Sequence, residues 1–148
     1  MLGQLIVESV DPQQDFVGHI GGDDFFVIFQ REDWEQRCWD IIVRFGEAIA
    51  GLVGQEEFSR GGYMAENRKG EVVFQPLPTL SIGAVRVFPG EYESHREVSA
   101  AAAVAKKQAK RTQKQTQGDK RGAVFMERRQ SPAGMVNVAG ETLPQYLN

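Results

Sequence analysis

The sequence predicts a mixed α/β fold, an α+β sandwich in which helices flank a mostly antiparallel sheet. Long segments with helical apolar spacing alternate along the chain with short apolar runs that have the strand period. The predicted order is helix end, hairpin, helix, hairpin, strand, helix, strand. With 148 residues, 41% of them hydrophobic, the chain is long enough for one domain with a buried core.

The first predicted elements are a helix end and a β-hairpin. Apolar residues in segment 1–10 follow a helical spacing, and a helix end without an earlier partner suggests that a segment is missing upstream. The runs 16–20 and 25–29 predict two strands, joined by a tight turn at 21–24 where paired glycines can adopt positive φ. Because run 25–29 is apolar on both faces, it predicts an interior strand covered on both sides.

A long amphipathic helix is predicted next. Asp33 is expected to be its N-cap, with Gln36 completing a capping pattern. The helix is about five turns long and carries a single apolar stripe. The stripe consists of Trp34, Cys38, Ile41, Phe45, Ala48 and Leu52. Cys38 is the only cysteine, so no intrachain disulfide can form.

The second half of the chain predicts a further hairpin, a strand, an alanine-faced helix and a last strand. These elements are expected at 61–67 with 72–76, 79–87, 94–115 and 122–129. The tail, 130–148, contains Pro and Gly without an apolar period, and we expect it to be irregular. The predicted domain therefore covers residues 1–129.

The charge pattern argues against several classes of function. A formal net charge of −3 provides no overall attraction to nucleic acid or to an anionic membrane. Segment 106–121 is basic but has no interleaved aromatic residues, so it predicts a solvated helix face or a phosphate contact rather than nucleic-acid binding. No apolar run is long enough to span a membrane and no secretion signal is recognisable, so we expect a cytoplasmic protein without membrane contact.

The turn Gly21-Gly22-Asp23-Asp24 has two interpretations. Glycine and aspartate are favoured in tight turns, so the segment can be no more than a hairpin connection. Alternatively, the glycines allow close approach of the backbone to a phosphate, and Asp23 supplies a hard oxygen ligand for Mg²⁺. Residues alone leave both interpretations open.

Three ordered motifs resemble those of the GGDEF family of diguanylate cyclases. They are Gly21–Phe25 on the hairpin, Ser81–Gly83 on a later strand, and Ala109–Lys110 on the helix that follows. The resemblance covers residues 1–129 and implies part of a nucleotidyl-cyclase-like fold. It also implies that two GTP molecules, one from each half of a homodimer, are joined into cyclic di-GMP.

The resemblance assigns roles to individual residues. It implies that Asp23 ligates Mg²⁺ or Mn²⁺ and acts in catalysis. It implies that Gly21 and Gly22 lie against the phosphates of GTP, with Asp24 beside them, and that Lys110 contacts the terminal phosphates.

The chain also departs from the family pattern in four places. The family's second metal-binding aspartate and its guanine-recognising residues would lie upstream of the first residue. Asp24 stands where the family has glutamate, and a misplacement of about 1 Å can cost about a hundredfold in rate. The phosphate-binding arginine has no clear counterpart, Arg121 being the nearest basic residue. At the family's inhibitory site Asp15 is present, but Pro12 replaces the arginine.

Three hypotheses follow from this resemblance. The variant motif and the Lys-Lys-Gln-Ala-Lys helix are most similar to those of GGDEF domains attached to EAL-type phosphodiesterases. This similarity implies a regulatory module that holds GTP, cyclic di-GMP or a partner domain and tunes the attached phosphodiesterase. The second hypothesis is a fragment of an active diguanylate cyclase. The third is a truncated structural piece without a ligand, which would expose a sheet edge.

Overall fold

The computed structural model describes residues 1–115 and 122–127, and within them it confirms the mixed α/β class. The helices are α1 (Leu2–Glu8), α2 (Trp34–Leu52), α3 (Gln55–Arg60) and α4 (His95–Gln115). The strands are β1 (Phe16–Gly21), β2 (Asp24–Ile28), β3 (Gly62–Glu66), β4 (Val72–Pro76), β5 (Leu80–Val85) and β6 (Gly122–Glu127). Only α3 among these was not predicted. The predicted tail 130–148, the end of the last strand and Arg121 lie outside the described residues.

The strands form three separate pairs instead of one sheet. β1 pairs with β2 and β3 pairs with β4, both as antiparallel hairpins, in agreement with the predicted turns. β5 and β6 pair in parallel, from Leu80 opposite Gly122 to Val85 opposite Glu127. The reason is the connection: α4 packs on both strands and carries the chain back to the same end, as a parallel pair requires.

The main core lies where α2 and α4 meet this parallel pair. Its buried residues are Cys38, Ile41, Ile42, Phe45 and Ile49 from α2, Ala101, Ala105 and Ala109 from α4, and Ala123 from β6. The predicted stripe of α2 is therefore correct for Cys38, Ile41 and Phe45, whereas Trp34 is only half-buried and the end of the stripe is wrong. Ile49 continues the buried face, whereas Ala48 is half-buried and Leu52 is 72% exposed. Ile49 lies one helical turn after Phe45 on the face that meets the core. Leu52 is the last residue of α2, and its side chain lies beyond the end of the core.

The N-terminus of α2 also differs from the expectation. Asp33 occupies the N-cap position, but its side chain makes no capping hydrogen bond. Its carboxylate instead accepts from the guanidinium of Arg37, and Gln36 donates to Asp40. The predicted capping box is therefore absent, because both side chains find partners one turn along the helix.

Glycine at position 83 allows α4 to lie directly on β5. A Cβ atom at Gly83 would come within 2.1 Å of the backbone nitrogen of Lys106 and 2.5 Å of the carbonyl carbon of Ala105. The alanines on this face of α4 are correspondingly fully buried. Small residues on both elements thus bring the two backbones close together, as the alanine-rich face predicted.

The prediction that strand 25–29 is covered on both sides is wrong. Phe26 and Ile28 on β2 are 43% and 49% exposed, and Phe16 and Ile20 on β1 lie on the same face and are also exposed. The opposite face packs towards α1, where the ring of Phe25 approaches Gly3. Within the described residues no helix or strand covers the outer face, so the apolar run has only one buried side.

Replacing Gly83 with alanine should destabilise the protein by about 3 kcal/mol, because a Cβ atom would collide with backbone that cannot rotate away. Gly51→Ala is the matched control, since a Cβ atom there meets nothing within 4 Å and alanine favours the helix by about 0.5–1 kcal/mol. Chemical denaturation of the two variants measures both effects. Equal stability of the two variants would contradict the close packing.

Cys38 should react with thiol reagents only when the protein opens. Cys38 is only 3% exposed. Burial raises the pKa of its thiol to about 12, with a smaller contribution from the negative charge of Glu35. Labelling at neutral pH should therefore be slow in the folded protein and fast in denaturant. Rapid labelling of a sample with an intact circular dichroism spectrum would contradict this burial.

Candidate functional site

The tip of the β1–β2 hairpin is an open turn made by Gly22 and Asp23. Gly21, opposite Asp24 at the end of the ladder, has a φ of 154°, and Gly22 has a φ of 58°. Side-chain-bearing residues rarely adopt these conformations. A Cβ atom at either glycine would meet nothing within 4 Å, so the backbone of the turn faces open space. A ligand can therefore approach the main chain closely at this point.

His19 braces the turn from the side. Its Nε2 lies 3.0 Å from the carbonyl oxygen of Gly22, and since a carbonyl only accepts, Nε2 carries the proton in this contact. The imidazole stacks on Phe25, with ring centroids 4.5 Å apart. His19 is thus occupied in holding the conformation of the turn.

Asp23 is the exposed carboxylate of the turn. No hydrogen bond or ion pair joins its side chain to any other residue of the described segments. The carboxylate is consequently available to a cation from solution. In the same two segments there is no group of three His, Cys, Asp or Glu side chains that could hold a metal ion. Asp23 fits Mg²⁺ only in company with phosphate oxygens, which is how this ion is commonly bound beside a nucleotide.

Asp24 forms an ion pair with Lys106 of α4, and this contact joins the hairpin to the helix. The hydrogen bond from Lys106 is the main cause that lowers the pKa of Asp24, followed by the charge of Lys106 and, more weakly, that of Lys110. Lys110 follows Lys106 by one helical turn and lines the same depression on α4. The structure thus pairs Asp24 with Lys106, which sequence reasoning did not single out, and places the predicted phosphate-contacting Lys110 on the same side of the helix.

One face of α4 next to the turn is strongly basic. Its cations line a shallow depression along the helix and are Lys106, Lys107, Lys110, Arg111 and Lys114. Successive members of this set are four residues apart in two rows, so their side chains lie next to each other on one surface of the helix. An anion lying along this face would meet several positive charges at once.

The strand motif Ser81–Gly83 lies on β5, on the side of α4 that faces the core, and helps to fix the position of the helix. Gly83 lies under the backbone of Lys106, as described above. Ser81 Oγ lies 2.5 Å from Gln113 Oε1 and donates to it, which ties β5 to the last turn of α4. The strand motif thus positions the helix and takes no direct part in the turn.

Asp15, the candidate for an inhibitory site, lies at the opposite end of the hairpin and is engaged structurally. Its side chain has no exposed surface and accepts hydrogen bonds from the backbone amides of Asp11 (2.8 Å) and Gln30 (3.0 Å) and from Arg37 (2.6 Å). Burial raises the pKa of this carboxyl, but the amides and the guanidinium outweigh burial and hold it below its ordinary value. Pro12 is exposed in the turn that precedes Asp15.

Asp15→Asn should cost about 2 kcal/mol of stability, because an amide nitrogen would face donors that now meet a carboxylate oxygen. Asp33→Asn is the matched control, since Asp33 binds the same Arg37 but is half-exposed and should contribute much less. Denaturant unfolding of both variants tests the difference. Similar losses in the two variants would contradict the structural role of Asp15.

The contribution of Asp15 should also depend on pH. Its pKa in the folded state lies below the ordinary 3.8, so its stabilisation is fully present above pH 3.8 and is lost as the pH falls through the folded value. The gap in stability between the wild type and Asp15→Asn should therefore be constant near neutrality and close in acid. A gap that widens in acid would contradict the assignment.

Helices in the described ranges 1–115 and 122–127 include none that is long and apolar enough to cross a membrane. Comparison of the chain with protein-family models, with curated proteins and with solved structures found no match.

Proposed function

We propose that the chain is the later portion of a GGDEF-type domain and works in cyclic di-GMP signalling as a GTP-binding regulatory module. The observation that carries the proposal is the position of the open Gly21–Gly22 turn, with the exposed Asp23, beside the basic face of α4. Asp24 pairs with one cation of this face, so the turn and the helix together still present an excess of positive charge to a ligand.

The phosphates of GTP lie against the backbone of Gly21 and Gly22 in this proposal. Gly21 and Gly22 carry no side chain, and the space around them is open, which allows that approach. Successive backbone amides in a turn form a concavity that binds anions. Lys110 then contacts the terminal phosphates from α4. Positive charge on the helix and donors on the turn together match a polyanion.

A divalent cation, Mg²⁺ or Mn²⁺, is held by Asp23 together with phosphate oxygens. When bound, such an ion neutralises phosphate charge and polarises the phosphoryl group. Asp23 alone cannot retain the ion, so we expect metal binding to depend on the nucleotide.

A regulatory role is favoured over catalysis because the second carboxylate of the turn, Asp24, is already paired with Lys106. Aspartate at this position is also shorter than the glutamate of the GGDEF family, and the family's phosphate-binding arginine has no clear counterpart. Both differences also favour a regulatory role. We propose an attached EAL-type phosphodiesterase domain as the regulated partner, in a cytoplasmic protein without nucleic-acid or membrane contact. A fragment of an active cyclase, working as a homodimer, is the alternative enzyme.

The exposed outer face of the hairpin favours a second candidate, a structural piece without a ligand. Phe16, Ile20, Phe26 and Ile28 form an apolar surface there, on which another segment or domain can pack. This candidate predicts no nucleotide binding.

Calorimetric titration with GTP and Mg²⁺ separates these possibilities. Saturable binding is expected, and Asp23→Asn should weaken it about tenfold or more, because the only unpaired carboxylate of the turn is lost. Asp40→Asn, an exposed aspartate on α2, is the control and should bind like the wild type. Absence of binding to a folded sample, or equal binding by both variants, would refute the proposed function.

A further inference from the structure

Lys106 holds a position that the motifs did not predict, between the hairpin turn and the basic face of α4. It is paired with Asp24, and it lines the same depression as Lys110, which lies one helical turn further along. The two ammonium groups are therefore neighbours on one helix surface. Asp24 is paired with the first of them.

Positive charge on this face exceeds its negative partners. Within residues 1–115 and 122–127, Lys107, Lys110, Arg111 and Lys114 make no ion pair with a carboxylate, and Asp24 is the one such partner of Lys106. Like charges at this spacing repel each other, so an anion of high charge would relieve the repulsion.

The Asp24–Lys106 ion pair is exposed enough to be exchanged. The side chains of Lys106 and Asp24 are 37% and 47% exposed to solvent. Ion pairs that are exposed to this extent contribute little to the stability of the fold. The helix does not depend on the pair for its position, since Gly83 and the buried alanines already fix α4 on β5. A ligand that offers several phosphate oxygens can therefore replace the single carboxylate.

We propose that Lys106 is a second phosphate-binding lysine of the site and that Asp24 is its internal competitor. A bound triphosphate displaces the Asp24 carboxylate and is held between Lys106 and Lys110. This inference rests on the proposed function and adds to it a residue and a competing contact. It gives Asp24 an inhibitory role in anion binding instead of a direct contact with the ligand.

Two substitutions should change affinity in opposite directions. Lys106→Met removes a phosphate contact and should weaken binding about tenfold, the value of one charge-assisted hydrogen bond. Asp24→Asn removes the competitor and should tighten binding about threefold, in line with the small energy of an exposed pair. A merely structural ion pair would leave both affinities unchanged or shift them in the same direction.

The titrations use two probes, GTP with Mg²⁺ and inorganic tripolyphosphate, at low and at physiological salt. Lys69→Met, in the distant turn between β3 and β4, is the control for the loss of one lysine and should bind like the wild type. Circular dichroism and thermal unfolding confirm that each variant is folded. The inference is supported when either probe shows the opposite shifts.

The outcomes separate this inference from the proposed function. Binding of GTP that requires Asp23 but not Lys106 would overturn the inference and leave the function standing. Binding of tripolyphosphate with the opposite shifts, but no binding of GTP, would support the inference and reject the function. Binding of neither probe would overturn both.

Discussion

The close approach of α4 to β5 determines how the other elements are arranged around this helix. Gly83 leaves no room for a side chain between the strand and the backbone of Lys106, and alanines cover the facing surface of the helix. Because α4 lies there, the chain returns to place β6 parallel to β5. The same packing turns the basic face of the helix towards the hairpin, where Lys106 meets Asp24. A small strand residue thus determines where the cations of the candidate site stand.

Local patterns in the sequence predicted most helices and strands correctly, but they predicted less well which of these elements pack against each other. Both hairpins and the two long helices follow from glycine turns and apolar periodicity, which are properties of neighbouring residues. The exposure of Phe26 and Ile28 could not be predicted in this way, because an apolar strand reads the same whether one face or both faces are covered. The separation into three strand pairs likewise depends on contacts between distant segments.

In the candidate site, too, the residues of a local motif could be predicted from the sequence, whereas contacts between distant segments could not. Gly21, Gly22 and Asp23 could be singled out because they form one short motif, and the structure leaves them open and accessible. Lys106 was missed because its importance comes from Asp24, far away along the chain. Its spacing from Lys110 was the one signal available. For Asp15 the sequence could not reveal that backbone amides and a guanidinium already surround the carboxylate.

In the proposed function, the hairpin turn and the basic face of α4 form one anion site. Backbone amide NMR spectra recorded during a titration with GTP and Mg²⁺ test it most directly, since each amide reports its own surroundings. We expect chemical-shift changes concentrated at residues 21–24 and 106–114, with the resonances of β3 and β4 unchanged. Shifts that spare the turn or the helix, or that cluster elsewhere on the protein, would contradict it.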